Sequence, residues 1–237
     1  MQTTSQRIQR YLFTSNLDHL LSEAAAIEAA IHAFVAAVGN LPADFNLDTL
    51  YAYPVPMLSE NGTCSLIDEL APEPYDIAPI LGGRSDANTR KLLLLNQLVE
   101  HATQLTGTDW LGIYQSRPNK LNDAVLVKLA YRGRPSRAEF PLNTTFASGS
   151  TNASVGLSGH AKVIDDVAAH TAAGGAFYVC DDEVQSEVCV PVLDEDGKVL
   201  GIIDAEAAPK AFFNGSRLVT LVAMALVVPA LLPALSS

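Results

Sequence analysis

Residues 177–206, FYVCDDEVQSEVCVPVLDEDGKVLGIIDAE, constrain this chain more than any other stretch. Asp196-Gly197 is a dipeptide favoured in tight hairpin turns, and it lies between two apolar runs, 188–193 and 199–205. A two-residue loop at Asp196-Gly197 sets Glu195 opposite Lys198. Counting outward, Cys189 then faces Asp204 and Glu187 faces Glu206. Strand side chains alternate between faces. Glu187, Cys189, Asp204 and Glu206 therefore share one face, and Val188, Val190, Ile203 and Ala205 the other. Like charges directly opposed on a sheet destabilise it, so a fold keeps them most easily when it binds a cation or shares a proton. Cys180 stands seven residues before Glu187, in a segment that reads as a loop able to fold back over the acidic face. A thiol beside clustered carboxyls is the candidate chemical centre. The plainer reading is that such acids are solvated and that a lone cysteine is a small buried hydrophobe.

The rest of the chain supports a folded domain. Hydrophobic residues make up 49% of the 237 and charged ones 17%, enough for a sizeable core and against general disorder. The net charge of −11 argues against an extended phosphate-binding surface, so no nucleic-acid partner is expected. There is no C-x-x-C pair and no Cys/His cluster with zinc spacing, so no metal and no cofactor is expected. Three cysteines are too few and too scattered for a disulfide framework. The N-terminus, MQTTSQRIQRYLF, lacks the apolar core of a signal peptide. A cytoplasmic location is the expectation, and the N-x-S/T sequons at Asn61, Asn143, Asn152 and Asn214 then count as chance matches.

Residues 1–16 are polar and are expected to be weakly ordered. From Leu17 to Val38, apolar residues recur at helical spacing, giving one amphipathic helix of about 20 residues stopped by Gly39. Residues 41–83 lose periodicity and carry Pro42, Pro54, Pro56, Pro72, Pro74 and Pro79. They read as an irregular connector with one short strand near 50–53, in which Cys64 has no assigned role. A second helix spans 88–105, ended by Gly107, and strands follow at 110–114, 124–131 and 138–142. The loop 143–159 is small and polar and starts a short helix near Asn152 or Ser154. Residues 162–167 are a strand, and 168–176, with Gly174-Gly175, are expected to be mobile. A last helix covers 215–228. The apolar run 218–235 is too short and is broken by Pro229 and Pro233, so no membrane association is expected. This order gives an α+β fold: an antiparallel sheet of about six strands, helices on one face, and a pocket between the other face and the loops. A helical extension and connector, 1–85, precede the domain at 86–237. Three apolar helices exceed what one sheet face readily covers, which favours a homodimer. His101, His160 and His170 are scattered and read as structural or solvated.

Three segments form a pattern: TDWLGIYQ at 108–115, YVCDDEVQSEVCVPV at 178–192 and GKVLGIIDAE at 197–206. Together they resemble a GAF domain, and more narrowly the free methionine-(R)-sulfoxide reductases, over about 88–228. The resemblance implies that Trp110, with Tyr114 on the same strand, lines the substrate pocket. It implies that Cys180 is the catalytic cysteine and that Glu187 and Asp204 are site carboxylates. Glu206 stands where that family has a second strand aspartate. Two further family thiols are replaced, one by Arg137 and one by Asn152, leaving Cys189 as the possible resolving thiol.

Reducing a sulfoxide needs a nucleophile at sulfur and a proton for the departing oxygen. A thiolate supplies the first and becomes a sulfenic acid. A carboxyl with a raised pKa supplies the second, and crowded carboxylates raise one another's. Glu187, Asp204 and Glu206 suit that role, or hold the ammonium group of an amino acid. Backbone N–H groups near 152–158 would take its carboxylate. Three readings stay open. One is reduction of free methionine-(R)-sulfoxide by Cys180 with an external small thiol as reductant. Another is a GAF pocket that senses a small polar metabolite without turnover. The third is a GAF-fold subunit that only mediates association.

Overall fold

The computed structural model describes residues 3–39, 45–58, 69–178 and 181–235. Cys180, expected as the catalytic thiol, and Cys64 lie outside the described residues. The chain opens with helix α1 (Thr4–Thr14), where weak order was expected. Its start is fixed by a capping box in which the Thr3 hydroxyl accepts from Gln6 N–H and the Gln6 side chain accepts from Thr3 N–H. Ile8, Tyr11 and Leu12, spaced three and four apart, bury its inner face. The expected single helix over 17–38 is two pieces, a 3-10 stretch Asp18–Glu23 and helix α2 (Ala24–Ala37). Together they are long and apolar enough to cross a membrane by length and composition, yet Ile27 and Phe34 are buried in the core.

The connector contributes helix α3 (Leu47–Tyr51) and a two-strand ribbon, β1 (Ala52–Tyr53) with β2 (Tyr75–Asp76). It is tied to the main sheet by two hydroxyls. Tyr53 donates to Lys128 O (2.7 Å) and Tyr75 donates to Glu139 Oε1. Helix α4 (Asp86–Thr106) starts on the Ser85 cap and ends at Gly107, whose φ of 68° is the left-handed conformation that glycine adopts freely.

The main sheet has six antiparallel strands in the order β5-β4-β3-β8-β7-β6. These are β3 (Trp110–Pro118), β4 (Ala124–Arg132), β5 (Glu139–Pro141), β6 (Lys162–Ile164), β7 (Ser186–Leu193) and β8 (Val199–Ala207). Helices α4 and α8 (Gly215–Val227) cover one face, where Val188, Val190, Ile203 and Ala205 join the main core, and α2 packs on the outside of α8 and α4. Short helices α5 (Thr144–Ala147) and α6 (Thr151–Ser158) sit over the other. Residue 167, expected to end a strand, and residues 168–172, within the stretch expected to be mobile, form helix α7 (Val167–Ala172), capped by the Asp166 carboxylate accepting from Ala169 N–H (3.0 Å). His170 there packs against Gly175 and bonds Ala176 O (3.1 Å), and His101 stacks edge-on against Phe34.

The β7–β8 register pairs Glu187 with Glu206 and Cys189 with Asp204, as the alternation predicts. The turn differs. Asp194, rather than Glu195, faces Lys198, donating its N–H to Lys198 O (3.0 Å) across a loop of residues 195–197. That shortens the register by one. A bulge restores it, because Val192 pairs with Gly201 while Leu193 pairs with Val199, leaving Leu200 extra.

Candidate active site

The second face of the sheet carries a small enclosed cavity lined by Trp110, Tyr114, Ser136, Phe140, Thr151, Asn152, Tyr178, Glu187, Asp204 and Glu206. The expected pocket residues Trp110, Tyr114, Glu187, Asp204 and Glu206 are thus brought together. Cys189 is on the same face, fully buried among Trp110, Tyr114 and Ile202. The cavity measures about 10 Å³, room for one water. Beyond Trp110, Ser136 and Glu206, which line both spaces, opens a cleft of about 440 Å³ bordered by Asp109, Arg134, Asp181 and Glu183.

Local structure explains how each wall is set. Gly112 pairs with Asp204 across β3 and β8. A Cβ at Gly112 would stand 2.2 Å from Trp110 Cη2, so the missing side chain lets the indole lie back over its own strand. Trp110 Nε1 donates to Arg134 O (3.1 Å), and the ring stacks on Tyr131. Tyr114 donates its hydroxyl to Arg137 O (3.2 Å). Lys128 is fully buried against Trp110, Tyr53 and Tyr131 and donates to Ser136 O (2.7 Å) and Ser136 Oγ (2.8 Å). Arg137, one of the two replaced thiols, donates to Tyr178 Oη (2.9 Å) and rests on the rings of Phe146 and Tyr178. Thr151, Phe140, Ser136 and Tyr178 were not singled out from the sequence. The signal available was Ser150, whose hydroxyl caps α6 by accepting from Ala153 N–H (3.3 Å) and so aims Thr151 and Asn152 at the sheet.

The acids are buried, against the plainer reading of them as solvated. Glu187 is 3% exposed and Asp204 2%. Burial, then the charges of Asp204 and Glu206, push the Glu187 carboxyl well above its ordinary range. Burial pushes Asp204 up to about 6, opposed by hydrogen bonds from Asn152 and Glu187. The two carboxyls stand in one buried wall and titrate as a linked pair, each with a raised proton affinity. Burial and the same two acids raise the Cys189 thiol well above its usual range, which keeps it protonated and a poor nucleophile. Three buried oxygens in this wall lack a hydrogen-bond partner among the described residues: Asn152 Oδ1, Glu187 Oε2 and Asp204 Oδ1. All three can accept, and leaving such atoms unpaired is costly. A ligand group with several N–H or O–H donors would satisfy them. Among the described residues no group of three or more His, Cys, Asp or Glu is placed to hold a metal ion.

The model of the GAF domain family matches residues 92–228, more than half of the chain. The chain belongs to the GAF family. A curated relative, the free methionine-R-sulfoxide reductase of Saccharomyces cerevisiae, is 25% identical over 113 residues, 47% of this chain. The match spans 57% of that relative's length. Among solved structures, the type II free methionine-R-sulfoxide reductase of Thermoplasma acidophilum aligns with a TM-score of 0.53 at 20% identity, over 62% of this chain and 94% of that one. The Neisseria meningitidis enzyme, solved in complex with its substrate, aligns with a TM-score of 0.49 at 21% identity, over 65% and 83%. At these identities the structural likeness is one of fold. The small cavity of this chain lies between β3, β7, β8 and α6.

Proposed function

We propose that this protein reduces free methionine-(R)-sulfoxide with Cys180 as nucleophile. The observation that carries the reading is the buried pair Glu187–Asp204, two crowded acids of raised proton affinity at the wall of a Trp110-lined GAF pocket. A protonated carboxyl at neutral pH is the group a departing sulfoxide oxygen needs. Cys180 lies in sequence between Tyr178, which lines the pocket, and Asp181, which borders the adjoining cleft. The unpaired acceptors on Asn152, Glu187 and Asp204 suit the ammonium of an amino acid, and Trp110 suits its methyl group.

In this mechanism the Cys180 sulfur attacks the sulfoxide sulfur while Glu187 protonates the oxygen. The oxygen passes to Cys180, leaving the thioether methionine and a sulfenic acid. One external thiol then condenses with the sulfenic acid, releasing water and forming a mixed disulfide. A second thiol displaces it, restoring Cys180 and leaving with the first as a disulfide. Arg137 and Asn152 carry no sulfur, so neither resolves the intermediate. Cys189 is fully buried with a raised thiol pKa, which favours an external thiol over Cys189 for resolution.

The test is turnover of the purified chain with free methionine-(R)-sulfoxide and dithiothreitol, beside Cys180→Ser and Cys189→Ser. Loss of turnover in Cys180→Ser with near-normal turnover in Cys189→Ser is the expected result. Activity surviving Cys180→Ser removes the mechanism. A second reading, a GAF pocket that binds such a metabolite without turnover, draws on the two replaced thiols and on a cavity of about 10 Å³ that must widen to admit any amino acid. Saturable quenching of the single tryptophan, Trp110, by the sulfoxide without methionine production would favour it.

A further inference from the structure

We propose that Asn152 is a positioning residue that holds the Asp204 carboxyl in its charged form beside Glu187. This deepens the reductase reading and rests on it for its catalytic consequence. Asn152 is 6% exposed on the first turn of α6, and its Nδ2 donates to Asp204 Oδ2 at 2.8 Å. An amide N–H₂ donates at every pH and has no proton to lose in this range. Donation to the charged form of a carboxyl favours that form, so Asn152 holds Asp204 as the anion. Burial and the charges of Asp204 and Glu206 favour the proton on Glu187, opposed by the Thr151 hydroxyl, which also donates to Ala176 O (2.9 Å).

Asn152 is the neutral side-chain donor on Asp204, joined by a hydrogen bond from Glu187 and by the Ala205 backbone N–H. The other titratable or charged groups around the pair are Glu206 on β8, Cys189 on β7, Tyr114 on β3 and Lys128 on β4. Glu206 raises Glu187 and Cys189 stays protonated. Lys128 Nζ stands 6.0 Å from the Trp110 ring centre and is engaged with Ser136. The α6 start that presents Asn152 is itself fixed by the Ser150 cap and by the Thr151 bond to Ala176 O. A thiol at position 152, as the resemblance would have it, is a weak donor and could not hold Asp204 charged in this way. The residue that removes a redox function from the pocket thereby holds one of its acids charged.

The experiment is a carboxyl titration of the full chain by ¹³C NMR, for the wild type, Asn152→Leu and Asn152→Ser. Leucine keeps the amide's branched shape without a donor, and serine keeps a shorter donor. In the wild type Asp204 is expected to ionise before Glu187. In Asn152→Leu the Asp204 midpoint is expected to rise by roughly one pH unit, and in Asn152→Ser by less. In turnover of the sulfoxide, KM should rise in Asn152→Leu, because Asn152 Oδ1 is one of the acceptors offered to the substrate ammonium, so the carboxyl midpoint is the deciding readout. An unmoved Asp204 midpoint in folded Asn152→Leu overturns the proposal. A midpoint that moves in a protein showing no turnover supports the assignment of Asn152 while removing the reductase reading.

Discussion

Burial raises the proton affinity of Glu187 and Asp204, and linkage turns this into a dependence of stability on pH. The folded chain binds these protons more tightly than the unfolded chain. Their contribution is therefore complete below the ordinary carboxylate range, near pH 4. It is lost as pH climbs through about 6 for Asp204 and through a higher value for Glu187. Thermal unfolding between pH 5 and 8 should show it. Relative to the wild type, Asp204→Asn should gain on the order of 1–3 kcal/mol at pH 8 over its value at pH 5, which is about 2–4 °C in Tm for each kcal/mol. Parallel Tm profiles for the two proteins would show that the pair ionises freely. The shared face of Glu187, Cys189, Asp204 and Glu206 was legible in the sequence because alternation alone assigns it. That two of the acids are buried was not, because burial comes from Asn152, Thr151 and Tyr178, which reach the sheet from loops and a helix far off in sequence.

At the scale of elements, the hairpin shows how a correct register can rest on an incorrect turn. The loop is one residue longer than Asp196-Gly197 suggests, and the bulge at Leu200 compensates. Neither leaves a mark in the apolar pattern, since both runs stay apolar through the bulge. Gly197, at φ 85°, is the turn residue that needs glycine. Gly197→Ala should cost about 1 kcal/mol, measured by denaturant unfolding, and leave the pocket's chemistry alone, 187 and 204 lying far up the strands. Gly112→Ala should do the reverse. Its Cβ would meet the Trp110 ring, so the indole must swing off the sheet, at a cost of about 1–3 kcal/mol. Emission from the single tryptophan reports this directly, and an unchanged spectrum would mean that the ring does not lie where Gly112 lets it. Helix α1 was missed for a different reason. Its capping box and its Ile8, Tyr11, Leu12 stripe were present, but short, and a polar composition outweighed them.

At the scale of the molecule, the N-terminal extension and the GAF domain share one core. Ile8, Leu12, Ile27 and Phe34 are fully or almost fully buried in the same cluster as Leu95, Leu98, Leu221 and Val222. Tyr11 donates its hydroxyl to Pro191 O on β7 (2.7 Å). A fragment starting at residue 86 would uncover these faces of α4, α8 and β7, and several large buried side chains are each worth about 1.5–3 kcal/mol. Such a fragment should fail to give a cooperative unfolding transition where the full chain does; a fragment as stable as the full chain would show the extension to be an accessory. On the proposed function, Cys180 and the buried acids act on a chiral sulfur. The direct measurement is the methionine formed when the full chain and dithiothreitol are given the separated (R) and (S) diastereomers of free methionine sulfoxide. Methionine from the (R) form alone is the predicted result; equal yields from both, or none from (R), would contradict it.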